Sequence, residues 1–382
     1  MPHFLLPIVL LAVLGVGIGV SATPVTKRAG SVVQKAAEPV VIDSAGIYIR
    51  ASPLNTGNGH IIAGYAAQDG NQHVLRAARS TDNGQSWIQL GEVTRGDSAT
   101  HDIDNAMPLQ LPSSGRILYA FRNHDKAATG RLQDGSVVFA YTHYRITICY
   151  SDNGGLTWQF LSQVDERTAN MAPGMLNGLW EPFLRIARDG TTLQCYYSAE
   201  NDSGDQDNLM RYSRDGGKTW SAAIIVSGGD RDNARDGMTG VAEVDASGKL
   251  VCVFESYQDG YFSINRVLSH DDGYTWGERA RVYTAAGGKD AGAPQVYNVG
   301  GTLVTSFMTN EAVDVGHVDG GQMKVVTSTN GAQKWSSMGQ DGTVTADAGS
   351  HWPGLYTIDE SHFLALYSKD GLGAVSQLYK LV

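Results

Sequence analysis

The sequence predicts an all-β fold, a six-bladed propeller in a single domain, on three observations. An eight-residue phrase ending in tryptophan recurs along the chain at blade-like spacing. Short apolar strands punctuated by glycine turns fill the intervals. No segment carries a helical apolar period, and the eleven prolines are spread among the turns.

The phrase reads Ser80-Thr-Asp-Asn-Gly-Gln-Ser-Trp87, Ser151-Asp-Asn-Gly-Gly-Leu-Thr-Trp158, Ser213-Arg-Asp-Gly-Gly-Lys-Thr-Trp220 and Ser269-His-Asp-Asp-Gly-Tyr-Thr-Trp276. A worn copy is Ser328-Thr-Asn-Gly-Ala-Gln-Lys-Trp335. Its tryptophans lie 71, 62, 56 and 59 residues apart. The chemistry is that of a turn: Asp or Asn bonds to amides just ahead, glycine takes a conformation closed to other residues, and tryptophan packs on neighbouring blades. It resembles the Asp box, Ser-x-Asp-x-Gly-x-Thr-Trp, of sialidase-like propellers. Gly217-Lys218-Thr219 also mimics the end of a phosphate loop, but Tyr212 stands where its first glycine belongs. The boxes are read as structural.

Further strands precede each box. In the third blade they are Pro182–Ala187, Leu193–Ser198 and a strand near Leu209–Tyr212, with a turn at Asp189-Gly190. In the fourth they are Val241–Val244, Leu250–Phe254 and Ile264–Val267. A sixth unit without a box follows at Leu355–Ile358, Phe363–Tyr367 and Val375–Tyr379. Val40–Ile42, from the other end of the chain, is expected to add its outer strand and close the ring.

Residues 1–22 read as a signal peptide: the apolar run from Phe4 ends in Val20-Ser21-Ala22, small residues where cleavage needs them. A membrane anchor is the alternative. The dibasic Lys27-Arg28 looks like a processing site, making 23–28 a propeptide and 29–382 a secreted, extracellular domain. Removing Lys27 and Arg28 from 29 basic residues set against 39 acidic ones leaves a net charge of −12. Such a chain repels nucleic acid and anionic membranes, so a neutral or soluble partner and a monomeric enzyme are expected. Cys149, Cys195 and Cys252 make no disulfide framework and read as buried thiols within strands. Asn201-Asp202-Ser203 is a glycosylation sequon. The motifs His-Glu-x-x-His, Cys-x-x-Cys and Gly-x-Ser-x-Gly are missing, and Gly15-Val-Gly-Ile-Gly19 lies in the signal peptide. Neither metal nor cofactor is expected.

Propeller geometry selects the functional face. Strands A to D run antiparallel from the centre outward, so starts of A, ends of B and B–C loops share one face, and the boxes lie on the other. This places Arg50 at the start of A in the first blade, and Asp102, Asp104 and Asn105 ahead of A in the second. Trp180 and Glu181 open A in the third, and Asp290 precedes it in the fifth. Ends of B bring Arg122, Asn123 and His124, then Glu200, Glu255 and Glu311. The last blade offers His351, Trp352 and Tyr356. Insertions at Asp125–Tyr144 and Ala312–Gln322 are expected to wall a cleft. Carboxylates, a few arginines and aromatic rings around one mouth suit a sugar.

Leu179-Trp-Glu-Pro-Phe-Leu184, Leu193-Gln-Cys-Tyr-Tyr-Ser-Ala-Glu200, Asp236-Gly-Met-Thr-Gly240 and Leu250-Val-Cys-Val-Phe-Glu255 resemble glycoside hydrolase family 93, exo-acting arabinanases on a six-bladed propeller. The resemblance covers essentially the whole mature chain. It implies hydrolysis of α-1,5-linked L-arabinan or arabino-oligosaccharides, with release of arabinobiose and retention of configuration. It further implies Glu181 as general acid/base and Glu255 as nucleophile. Glu243, in the phrase Gly-Val-Ala-Glu, is the rival nucleophile, expected in the middle of strand A. Glu200 is expected to support the site or bind substrate, and Arg50 to hold a sugar hydroxyl, a catalytic carboxylate or a structural salt bridge. Asp104, Arg122, Trp180 and Tyr356 are further candidates for substrate contact. Two other readings stand beside this one: a true sialidase, and a propeller that binds glycans or proteins without catalysis.

Overall fold

The computed structural model describes residues 32–133, 137–170, 172, 174–314, 316, 318, 320–336 and 342–382. The expected signal peptide, propeptide and processing site lie outside these residues. Among them the fold is all-β, with one short 3-10 turn at Ala286–Gly288 and no α-helix.

The strands form antiparallel four-stranded meanders in a propeller-like arrangement. Their inner strands are Gly46–Pro53, His101–Gln110, Leu179–Ile186, Arg235–Glu243, Ala291–Val299 and Ser350–Thr357. Each packs beside the next in this order, and the last returns to the first. Val40–Asp43 pairs antiparallel with Gly373–Leu381, so the chain's beginning completes the meander at its end, as expected. A single parallel pair, Gln206 opposite Arg235, joins the third and fourth meanders into one eight-stranded sheet.

Both faces of the sheets are buried, and side-chain alternation feeds two cores at once. Along Leu250–Tyr257, Leu250, Cys252 and Phe254 pack toward the third meander, while Val251 and Val253 pack toward the fifth. This accounts for Cys252 as a buried free thiol, and Cys149 and Cys195 are likewise free and buried.

The boxes are turns between the third and fourth strands, as expected. Ser213 Oγ accepts the Gly217 N–H at 2.8 Å, and Asp215 Oδ1 accepts the Thr219 N–H at 2.9 Å. Gly217 has φ +90°, which leaves little choice of residue. The Trp220 indole donates to Ser162 Oγ, on the outer strand of the preceding meander, at 3.0 Å. Trp220→Ala should therefore cost about 3 kcal/mol, the low end for a tryptophan because the ring is only partly buried. Thermal melts should fall while kcat and KM of the folded protein stay put. A stable but inactive variant would contradict this placement of the boxes.

Every inner strand carries a β-bulge at one shared register, which the sequence did not announce. The register breaks after Ile47, Asp104, Trp180, Gly237, Gly292 and His351. The next residue in each case, Tyr48, Asn105, Glu181, Met238, Ala293 or Trp352, has φ between +46° and +61°. Non-glycine residues avoid this region, and its repetition marks a built device that re-aims the strand at the mouth. It also explains how Pro182 sits in a central strand, since a bulge spares it the ladder bond it cannot make.

Several boundaries differ from expectation. The first inner strand starts at Gly46, so Arg50 lies inside it, and Asp102, Asp104 and Asn105 lie within the second. The expected insertion Asp125–Tyr144 is largely sheet: Ile117–Arg131 and Val137–Ser151 pair as a long hairpin. The fourth inner strand begins at Arg235 rather than Val241.

Candidate active site

Two repeat positions build the site: the bulge residue of one inner strand, and the second-strand residue paired just before the bulge. The latter set is Ala66, Arg122, Ser198, Glu255, Met308 and Ser368, opposite Ile47, Asp104, Trp180, Gly237, Gly292 and His351 in turn. In four cases this side chain accepts the amide of the next meander's bulge. Met238 N–H donates to Ser198 Oγ at 3.0 Å and Tyr48 N–H to Ser368 Oγ at 3.1 Å. Trp352 N–H reaches Met308 Sδ at 3.5 Å, and Ala293 N–H donates to Glu255 Oε2 at 2.7 Å. Glu255 thus holds an anchoring position used elsewhere by serine or methionine, and Glu181 holds a bulge position occupied elsewhere by Tyr48, Asn105, Met238, Ala293 and Trp352.

Glu181 and Glu255 face one cavity of about 150 Å³, lined also by Trp180, Glu200, Gln206, Arg235 and Phe262. The flanking glycines leave room for Glu255. A Cβ on Gly292 would stand 2.6 Å from Glu255 Oε2, so only glycine fits there without moving the carboxylate.

Both carboxyls titrate high. Burial pushes Glu181 up to about 7, against the pull of Arg122 and the Ser198 hydroxyl. Burial also pushes Glu255 up to about 7; the Ala293 amide opposes it, and the charge of Glu181 adds to it. The charge of Glu181 raises Glu255 further, so ionising one carboxyl makes ionising its neighbour harder. One carboxylate and one carboxylic acid side by side is the state in which one group attacks while the other donates.

The same shift makes a stability prediction. Folded values near 7 stand above the ordinary 4.5, so folding takes up protons between these limits. Stability falls as pH rises through that window and stays reduced above it. Glu255→Gln should melt higher than the parent at pH 8, and the difference should vanish near pH 4. An equal difference at both pH values would rule out the raised carboxyl.

Around this pair the other expected residues take distinct places. Glu200 is buried and structural: Oε1 accepts Arg235 Nη2 at 2.7 Å and Oε2 accepts the Gly178 N–H at 3.1 Å. Arg122 donates to Asp102 at 3.1 Å and to Asp104 at 3.5 Å, with its guanidinium 5.3 Å from the Trp180 ring. Trp180 also meets His124, Tyr141 and Tyr144 edge to face, centroids 5.0 to 5.9 Å away. Arg122 and Asp104 therefore fix Trp180, which reaches the cavity. Arg50 is buried over the Tyr48 ring, donates to the carbonyls of Ile49 and Trp352, and among the described residues forms no salt bridge.

Some expectations are corrected. Tyr356 is partly buried against the core cluster of Ile49, Ile61 and Leu366 and does not line the cavity, because it follows the bulge toward the far end of its strand. Glu243 is the last residue of its strand rather than a middle one, is exposed, and pairs with Arg185 at 2.9 Å. Glu311 closes a separate cluster with Lys324 and Tyr283. Asp290 accepts the Phe262 N–H at 2.7 Å, which holds the start of the strand that brings Phe262 to the cavity.

Sequence reasoning missed Arg235. It is the first residue of the fourth inner strand and also bonds Gln206 Oε1 at 3.1 Å. The rule that starts of A face the mouth covers it; the strand's start was misplaced because Asp236-Gly-Met-Thr-Gly240 has no apolar alternation. Among the described residues, no group of three or more His, Cys, Asp and Glu side chains could hold a metal ion.

Comparison with known proteins agrees with this architecture. Residues 53–335 match the family model of the BNR repeat-like domain. An α-L-arabinofuranosidase from Fusarium graminearum, solved with an iminosugar inhibitor, superposes with a TM-score of 0.66 at 18% identity, covering 90% of this chain and 97% of that one. The same organism's enzyme, solved with arabinobiose, is a family 93 glycoside hydrolase. The arabinobiose complex of the Penicillium chrysogenum α-L-arabinanase gives 0.63 at 17% identity, covering 93% and 98%. A sialidase from Paraclostridium sordellii is 26% identical over 215 residues, 53% of this chain and 49% of its own length. The chain thus spans about half of that curated relative. Repeats, ring of bulges and shared architecture converge: the chain belongs to the BNR repeat-like domain family, with the fold of the sialidase-like propellers that family 93 enzymes also use.

Proposed function

We propose that this chain is a secreted glycoside hydrolase on a six-bladed propeller, exo-acting on α-1,5-linked L-arabinan and releasing arabinobiose with retention. The observation that carries the reading is the pair of partly exposed carboxyls, Glu181 on the inner strand of the third meander and Glu255 on the second strand of the fourth, raised to about 7 in one cavity. Six successive inner strands with the same bulge support the blade count. Family 93 phrases in the sequence and arabinobiose in the similar structures support the substrate. Secretion rests on residues 1–28.

In the first half-reaction the Glu255 carboxylate attacks the anomeric carbon. The bond to the leaving oxygen breaks, and that oxygen takes the Glu181 proton. In the second, Glu181 removes a proton from water, the water oxygen bonds the anomeric carbon, and Glu255 leaves as carboxylate. Two inversions give net retention. Trp180, held by Arg122 and by the rings of His124, Tyr141 and Tyr144, lines the cavity and offers apolar contact to the sugar.

A sialidase must neutralise a substrate carboxylate. Here Arg235 is already paired with Glu200, and Arg122 with Asp102 and Asp104, so neither arginine beside the carboxyl pair is free to take the charge of an acidic sugar. Digestion of debranched linear arabinan should give arabinobiose by chromatography, while a fluorogenic sialoside stays intact. Sialoside cleavage without arabinan cleavage would replace this reading, and binding without product would favour a glycan-binding propeller.

A further inference from the structure

The hydroxyl of Ser198 touches both halves of the site. Ser198 has no solvent exposure, and its Oγ lies 3.1 Å from Glu181 Oε2 and 3.3 Å from Asn208 Oδ1. The same oxygen accepts the N–H of Met238, the bulge residue next to Gly237, and Gly237 pairs directly with Glu255. Asn208 is itself buried and held by Ser227 Oγ at 3.0 Å. One hydroxyl proton thus has two acceptors, and only one can be used at a time.

We propose that Ser198 is a positioning residue whose hydroxyl turns between Glu181 and Asn208 as Glu181 changes protonation state. Ionised Glu181 takes the hydroxyl proton on Oε2. Protonated Glu181 carries its own proton on Oε1, and the hydroxyl turns to Asn208 Oδ1. The bond to Met238 N–H persists in both states, so the strand that backs Glu255 does not move. Acid and base forms are then both satisfied in place, and neither half-reaction requires Glu181 to shift.

This rests on the reading of Glu181 as the acid/base group. The charged and titratable groups facing Glu181 are Arg122, Arg235, Glu200 and Glu255, with Tyr48 beside them. None of them is altered in the variants below. Ser198→Ala removes a bond that favours the ionised form, so Glu181 should titrate higher by about one pH unit. Asn208→Ala removes the competing acceptor, commits the hydroxyl to Glu181 and should move the titration the other way. General loosening of the fold does not produce shifts of opposite sign.

The test is the pH dependence of kcat and kcat/KM on a linear α-1,5-arabino-oligosaccharide, whose leaving group needs the Glu181 proton, for the parent, Ser198→Ala, Ser198→Thr and Asn208→Ala, with thermal melts alongside. The basic limb of kcat/KM should move up in Ser198→Ala, return toward the parent in Ser198→Thr, and move down in Asn208→Ala. In parallel, carbon-labelled glutamate NMR, with Glu181→Gln identifying the resonance, follows Glu181 without turnover. Unmoved titration in both Ala variants, or shifts of the same sign, overturns the inference. If the parent cleaves no arabinoside, the enzymatic reading falls while the NMR titration still decides the role of Ser198.

Discussion

Glu255→Gln is expected to abolish turnover while leaving the fold and substrate binding in place. The loss should be on the order of 10⁴-fold or more in kcat, as for removal of other nucleophiles. The residue ends a fully buried stretch, Leu250–Phe254, and its side chain emerges between Gly237 and Gly292. Glutamine keeps the shape and can still accept the Ala293 N–H, but it cannot attack an anomeric carbon. Binding of arabino-oligosaccharide, measured by calorimetry, should therefore survive. Near-parental activity would remove Glu255 from the mechanism. Exposed Glu243, tied to Arg185, is poorly placed to replace it.

Glu181→Ala is expected to separate the two half-reactions. With natural arabinan, whose leaving group needs a proton, kcat should fall by roughly 10²–10⁴-fold, the range for a lost general acid. An aryl arabinobioside with a good leaving group needs little protonation. The variant should glycosylate quickly on that substrate, release a burst of phenol and then stall for want of a base. Added azide needs no deprotonation, so it should restore turnover and yield an arabinobiosyl azide of retained configuration. An azide product of inverted configuration, or rescue of Glu255→Ala instead, would mean that the two roles are exchanged.

How much of this was legible in the sequence depends on which forces leave a residue signature. The boxes were plain because a turn closed by Asp215, glycine and a packed Trp220 dictates residue types at fixed offsets. The position of Glu255 was legible because a two-sided apolar run, Leu250–Phe254, ends just before it, while its role came only from the resemblance to family 93. The bulges were hidden. Tyr48, Asn105, Glu181, Met238, Ala293 and Trp352 share a backbone conformation and no side-chain chemistry, so only the folded register reveals that they are equivalent. The long hairpin was read as an insertion because Lys126-Ala-Ala-Thr-Gly130 lacks the apolar alternation of a buried strand; it pairs through its backbone. Arg235 was lost for the related reason that its strand starts before alternation does. The site thus sits on a repeated frame, and its chemistry comes from single replacements at frame positions.

The central claim is that Glu255 becomes covalently glycosylated while Glu181 handles the proton. It is tested most directly by trapping the intermediate. Glu181→Ala, mixed with an aryl arabinobioside and quenched within the burst, is digested and mapped by mass spectrometry. The account predicts one arabinobiosyl adduct, on the carboxylate of Glu255, which disappears when azide is added before quenching. An adduct on another carboxylate, or an active enzyme that never carries one, would contradict it.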